Sequence, residues 1–307
     1  MGRVVIFGSA NADTILSVEH FPEPGETIHA NGSTTGAGGK GLNQAVAAGR
    51  MGAMAVMVGA IGTDAAAREL RAALAGESGL SLTRLREWDG PTGQAFVTVD
   101  AAGENHIVIV AGANGSHTAP SAREHLDFLT SGDVLVCQLE IPFEATAAAL
   151  EHGRSRGALT VLNAAPAADV THMLGWVDLL VVNKTEAAAI IAGLGGEVTG
   201  ANPAEDAQFL CDRAGTDVVI TLGGDGLVFA GADGSGCLPA HPITPVDTTG
   251  AGDAFVGGLA AMLAEGEPLA AALEFASALG ALACTAPGAQ GYTSTRDDVL
   301  ALASPSR

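Results

Sequence analysis

The stretch VLVCQLEIPFEATAAALEHGRSRGALTVLNAAPA, residues 134–167, decides the fold. It opens on a run, Val134–Leu139, apolar except for Gln138, of the kind that suits a strand buried on both faces. An Ala-rich helical stretch follows, Phe143–Arg156, and then a second short apolar run, Leu159–Leu162. Strand, helix and strand in that order build a parallel pair with a crossover helix. Glu140 stands just past the first run and Asn163 just past the second. Both therefore fall at the C-terminal edge of the sheet, where open α/β sheets bind ligands.

The pattern repeats outward in both directions. Val4–Phe7, Ala55–Ile61, Leu179–Val182 and Val218–Leu222 read as further strands. Gly41–Arg50, Ala65–Ala75, Pro203–Ala214, Ala251–Ala264 and Pro268–Cys284 read as helices. The expected class is α/β, with a mostly parallel central sheet flanked by helices. Thr14–Thr35 and Gln94–Val110 alternate more loosely between Pro and Gly, and are expected to form a small projecting β-sheet lid. With no repeat or long linker, residues 1–307 read as one domain with lid segments about 14–35 and 94–110 inserted. Asn11, Asp13, Asn183 and Thr221 join Glu140 and Asn163 at or just past strand ends, so six residues on five separate stretches point polar groups at one rim.

Composition removes several function classes. Of 307 residues 48% are hydrophobic and 16% charged, which excludes a disordered chain. Acidic residues outnumber basic ones 34 to 14, a net charge of −20 that repels nucleic acid and anionic lipid. Cys137, Cys211, Cys237 and Cys284 form no CxxC pair and the histidines no HExxH, so neither a zinc site nor a disulfide framework is indicated. The short apolar run at the N-terminus is no signal peptide, and no uninterrupted apolar stretch offers a membrane span. A reduced, cytoplasmic, soluble protein is expected.

The chemistry concentrates in Asp247-Thr-Thr-Gly-Ala-Gly-Asp253, which runs into the apolar helix. Gly250, Ala251 and Gly252 sit where free backbone N–H groups and the helix dipole favour an anion. Asp253, one residue on, is placed to take the proton of an attacking hydroxyl. The same residues also suit an ordinary capped helix start. Gly36-Ala-Gly-Gly-Lys-Gly-Leu-Asn43 contains GxGxxG, with Asp64 further on, but follows a polar segment rather than the buried strand a dinucleotide site needs. Lys40 is followed by Gly41, so it is not a phosphate-binding loop of the GxxxxGK[ST] type either. The run reads better as a turn bringing backbone amides and Asn43 against a small polyol. On spacing alone Asn183-Lys-Thr-Glu186 is a helix capping box, and Thr221-Leu-Gly-Gly-Asp-Gly226 a turn joining two strands.

Together these residues resemble the PfkB-type carbohydrate kinases, and within them the ribokinases, over nearly the whole chain. The matching pieces are GSANAD (8–13), FPEPGET (21–27), GGKGLNQAVAAGR (38–50), GEN (103–105) and AGAN (111–114). They continue with QLE (138–140), LNAAPA (162–167), NKTE (183–186), TLGGDG (221–226), DTTGAGD (247–253) and GAQ (288–290). The resemblance implies ATP-dependent phosphorylation of D-ribose to D-ribose 5-phosphate. Asp253 would be the general base and Gly250, Ala251 and Gly252 the anion hole. Asn11, Asp13, Gly39, Lys40, Asn43 and Glu140 would hold the sugar. Asn183 and Glu186 would face the ATP phosphates and Mg²⁺, with Thr221, Gly223, Gly226 and Ser277 lining the nucleotide site. A monovalent cation, K⁺, would sit at Asp247, Thr249, Ala283, Ala286, Gly288 and Tyr292. A homodimer through the lid is implied as well.

The sequence departs from the family pattern at Tyr292, where a serine is usual, and at Ser277, where Asn or His is usual. Ala164 replaces a proline and Lys184 a glutamate. Other acceptors (deoxyribose, fructose, a nucleoside) keep the same machinery. A non-catalytic sugar sensor is expected to have lost Asp253 or its glycines, and a nicotinamide oxidoreductase rests on GxGxxG alone.

Overall fold

Val4–Phe7 and Val134–Cys137 are apolar throughout and buried throughout, so each must be covered on both faces. The computed structural model describes residues 2–198 and 202–303. Strands β1 (Val4–Phe7), β2 (Asn11–Ser17) and β3 (Gly32–Gly38) lead into helix α1 (Lys40–Arg50). After β4 (Ala55–Ile61) and α2 (Ala65–Leu74) come β5 (Leu80–Glu87), β6 (Gly93–Val99) and β7 (Asn105–Val110). Next are α3 (Ala119–Leu126), β8 (Val134–Cys137), α4 (Phe143–Ser155), β9 (Leu159–Asn163), β10 (Leu179–Asn183), α5 (Lys184–Gly193) and α6 (Pro203–Ala214). The chain ends on β11 (Asp217–Thr221), β12 (Leu227–Gly231), β13 (Gly234–Leu238), α7 (Ala251–Glu265), α8 (Leu269–Ala283) and α9 (Arg296–Ala303).

Among the described residues one sheet has nine strands, in the order β13-β12-β11-β10-β9-β8-β1-β4-β5. It is parallel from β5 to β11, and β12 and β13 add an antiparallel hairpin at one edge. Period-two alternation divides the core. Val4 and Ile6 of β1 pack with α1, α7 and α8 on one face, while Val5 and Phe7 pack with α3, α4 and α5 on the other. The second sheet, β3-β2-β6-β7, stands apart. Its central pair β2–β6 is parallel and both outer pairs are antiparallel.

The small sheet is wider than the expected segments at 14–35 and 94–110. Its strands begin at Asn11 and Gly93 and end at Gly38 and Val110, with 18–31 a loop between β2 and β3. Asn11 and Asp13 therefore lie on a lid strand rather than at the end of β1. The sequence reading also lacked β5, whose LSLTRLRE carries Arg84, Arg86 and Glu87 as a half-exposed edge strand does.

Helix α1 has Gly41–Gly49 buried, enclosed between the sheet and α7. Small residues set that distance: a Cβ at Gly257 of α7 would come within 2.5 Å of the Gln44 carbonyl oxygen and 2.6 Å of the Ala47 side chain. The close approach brings the first turns of α1 and α7 together, and with them the polar groups that open each helix.

Candidate active site

The site grows from the edge where β1, β8, β9, β10 and β11 end. Glu140, just past β8, accepts from the Ser9 hydroxyl at 2.6 Å and from the Lys40 backbone N–H at 3.0 Å. These bonds seat the glycine turn between β3 and α1 on the segment leaving β1. Asn114 accepts from the Ala10 N–H at 3.0 Å and donates to the Asn11 amide oxygen at 2.7 Å, which fixes Asn11. Asp13 lies against Gly38, where any Cβ would overlap its carboxylate. Its Oδ1 is buried and takes no hydrogen bond. Burial, then the neighbouring Glu140 and Asp253, push the Asp13 carboxyl up to about 7. Asn11, Asp13, Gly39, Lys40 and Glu140 are thus assembled on one wall, rich in hydrogen-bonding oxygen and nitrogen.

Helix α7 faces that wall with its N-terminus. Gly250, its N-cap, has φ 75°, and a Cβ there would press on Ala289, so the position needs glycine on both counts. The Ala251 N–H donates to the Thr248 carbonyl at 3.2 Å. Gly252 and Asp253 follow in the first turn, where N–H groups have no intrahelical acceptor. The Asp253 carboxylate is buried and held by Asn43 Nδ2 at 3.0 Å and Gln44 Nε2 at 2.9 Å. Burial raises its proton affinity; Lys40 and the two amides oppose that, and Glu140 adds to it.

Two adjoining cavities extend from Asp253, with Thr221, Gly252 and Phe255 lining both. The first, about 130 Å³, is bordered by Lys40, Asn163, Asn183, Glu186, Gly250 and Asp253. Asn183 and Glu186 do form the capping box of α5, with bonds of 2.8 and 2.9 Å, and still border this cavity. Burial raises the Glu186 carboxyl, opposed by the Asn183 N–H and Lys40. The second cavity, about 620 Å³, is lined by Gly223, Gly226, His241, Pro242, Ile243, Ser277 and Cys284. Apolar walls with a few polar groups suit a flat heterocycle. The turn after β11 joins it to β12 as its spacing predicts, and Lys184 pairs with Asp225 there at 3.3 Å.

The Asp247 carboxylate accepts from the Thr249 N–H and the Gly288 N–H, both at 2.8 Å. The Cys284 carbonyl accepts from Val246 and Asp247, which brings the end of α8, with Ala283, to the same loop. Tyr292 is placed differently. Its ring is buried in the core under the Arg50 guanidinium, 5.1 Å away, and its carbonyl accepts from Arg50 at 3.2 Å. Among the contacts of the described residues, none joins it to Asp247.

Several polar residues at the site had no role in the sequence reading. They are Ser9, Gln44, Asn114, Gln138 and Gln290, the last donating to Asn43 Oδ1 at 2.8 Å and to the Ala37 carbonyl at 3.1 Å. Each lies inside or beside a quoted motif, so the signal was their position among glycines and acids.

A family model described as pfkB family carbohydrate kinase matches residues 1–296. The chain is 35% identical over 305 residues to a ribokinase of Staphylococcus aureus, covering 97% of this chain and 98% of that one. It is 34% identical over 305 residues to a bifunctional ribokinase/ribose-5-phosphate isomerase A of Fructilactobacillus sanfranciscensis, spanning 98% of this chain and 56% of that protein. A ribokinase of Arabidopsis thaliana, solved with ribose and ATP, superposes with a TM-score of 0.87 at 29% identity, over 100% of both chains. The parallel sheet with its separate small sheet, the acidic helix start facing a polar wall, and these likenesses along the length of the chain agree, and the chain belongs to the PfkB family of carbohydrate kinases.

Proposed function

We propose that this chain transfers the γ-phosphoryl group of ATP to the primary hydroxyl of D-ribose, giving D-ribose 5-phosphate and ADP. The observation that carries the reading is Asp253: a buried carboxylate in the first turn of α7, beside the helix's N-terminal amides on one side, where only a 3.2 Å bond to Thr248 engages the Ala251 N–H, and the Asn11–Asp13–Glu140 wall on the other. The wall holds the sugar through paired hydroxyls, which carboxylates and amides accept and donate to in fixed geometry. Asp253 takes the hydroxyl proton as the oxygen attacks in line. The amides around Gly250–Gly252 receive the charge on the transferring phosphoryl group. The larger cavity takes the adenine and ribose of ATP, with Ser277 and the Thr221–Gly226 turn at its edge.

Mg²⁺ takes one or two carboxylates with phosphate oxygens and water, and Glu186 at the smaller cavity suits that donor set. Held there, Mg²⁺ would supply charge neutralisation at the phosphates. A monovalent cation would sit at the loop that Asp247 ties to Gly288, beside Thr249, Ala283 and Ala286, with Tyr292, whose carbonyl accepts from Arg50, the weakest member of that set. The chain works as one domain in the cytoplasm, with the small sheet as a lid that excludes water from the sugar. Two copies pair through that sheet, covering Phe96 and Ile107–Val110, which are exposed in one chain.

ADP release with Mg·ATP tests the reading against ribose, deoxyribose, fructose, adenosine and uridine, each with and without K⁺. Strong preference for ribose and stimulation by K⁺ are expected. Preference for another acceptor would keep Asp253 as base and discard ribose.

A further inference from the structure

Asp253 is held by a chain of side-chain amides whose direction the backbone dictates. Gln44 is fully buried, and its Nε2 donates both to Asp253 Oδ1 at 2.9 Å and to Asn163 Oδ1 at 3.0 Å. Asn163 in turn donates through Nδ2 to the Val181 carbonyl at 3.1 Å. A backbone carbonyl can only accept, so Asn163 must turn its nitrogen to Val181 and its oxygen to Gln44. Gln44 must then present its NH₂ group to Asn163 and to Asp253 together. Its own oxygen accepts from Gln138 Nε2 at 2.6 Å, which completes the chain. Reversing Gln44 would set an amide oxygen against a carboxylate and a second amide oxygen, and two NH₂ groups against each other.

The two oxygens of Asp253 therefore differ. Oδ1 is bound from the protein interior by a donor that cannot turn away. Among the described residues Oδ2 meets only Asn43, on the side of the polar wall. We propose that Gln44, fixed in polarity through Asn163 by the Val181 carbonyl, is the positioning residue that locks Asp253 and reserves Oδ2 for the attacking hydroxyl.

The inference rests on Asp253 being the general base, and it adds an electrostatic duty. Lys40 favours the ionised Asp253, while Glu140, Asp13 and Glu186 are acids whose negative charge couples to it unfavourably; Tyr292, a neutral phenol in this range, adds no charge. Against that acidic surrounding, the Gln44 N–H is one of two uncharged donors keeping the base deprotonated. Without it the group binds its proton more tightly, so the acid limb of the rate profile moves to higher pH.

The test measures kcat for ribose with saturating Mg·ATP from pH 5 to 9, in the wild type, Asp253→Asn, Gln44→Met and Gln44→Glu. Gln44→Met keeps the length and loses the donor. Its kcat at neutral pH is expected to fall about tenfold or more, with the acid limb raised by about one pH unit and KM for ATP within about twofold. Gln44→Glu keeps the shape, serves if the methionine variant does not fold, and is expected to shift the limb further by adding a like charge. A folded Gln44 variant with the wild-type acid limb overturns the inference while leaving Asp253 as base, provided Asp253→Asn is inactive. A near-normal rate in Asp253→Asn removes the base and the inference with it.

Discussion

At the scale of single residues, the site works by placing carboxylates where burial and neighbours govern their charge. Asp13 is the clearest case. Its folded value near 7 stands above the ordinary 3.8, through burial first and then Glu140 and Asp253. A carboxyl raised in this way binds more protons folded than unfolded between those two values, so it costs stability as pH rises from about 4 to 7 and no more above that. Asp13→Asn removes the cost. The gain in Tm without sugar is expected to be small at pH 4 and full at pH 8, while KM for ribose rises. Equal Tm gains at both pH values would contradict the assignment. Glu140 was legible at a strand end and Asp253 beside glycines, whereas Asp13, which lies inside a lid strand, and Glu186, which read as a helix cap, were picked out by the family resemblance. The amides that orient them were not. Gln44 and Gln138 lie 94 positions apart and Asn43 and Gln290 lie 247 apart, and only the folded chain shows that they meet.

At the scale of elements, the decisive contact is α1 on α7. Gly257 lets the Gln44 backbone approach α7 closely, which places Asn43 and Gln44 over Asp253 one turn away. Gly257→Val is expected to lower stability by about 1–3 kcal/mol through overpacking. It should also reduce kcat more than KM for ATP, because the helices separate at the base and not at the nucleotide cavity. Denaturant melts and steady-state kinetics check both. Six of the helices were plain in the sequence, where α6 has the expected bounds and α1, α2, α4 and α7 differ by one residue at an end; the short α3 and α9 were not read, and α5 only as a capping box. Their Ala-rich runs and capping residues are local signals. The strands β5, β12 and β13 were harder, since a charged edge strand and a glycine-rich hairpin both resemble loops when read in one dimension.

At the scale of the molecule, the two sheets divide the labour. The ends of the large sheet's strands border the two cavities beside α7, and the small one carries Asn11, Asp13 and the glycine turn that form the polar wall. The same small sheet exposes Phe96 and the apolar run of β7, with Val108 at 64% and Ile107 at 53%. Val108→Lys is therefore expected to turn a dimer into a monomer in sedimentation equilibrium and to raise KM for ribose, since an unsupported lid closes less well. A wild type that is monomeric at micromolar concentration would contradict the pairing. The fold class was readable from the alternation around 134–167, but the union of β2 and β3 with β6 and β7 joins segments some eighty positions apart, and it blurred the lid's bounds.

The central claim is that Asp253 serves as base for phosphoryl transfer to ribose. The most direct measurement follows ADP and the phosphate ester of ribose together, by phosphorus NMR, in the wild type and in Asp253→Asn. The account predicts equal amounts of ADP and ribose 5-phosphate from the wild type, and a rate lower by about 10²–10⁴ in the variant. ADP forming equally fast without ribose, or an Asp253→Asn enzyme that phosphorylates ribose at a near-normal rate, would contradict it.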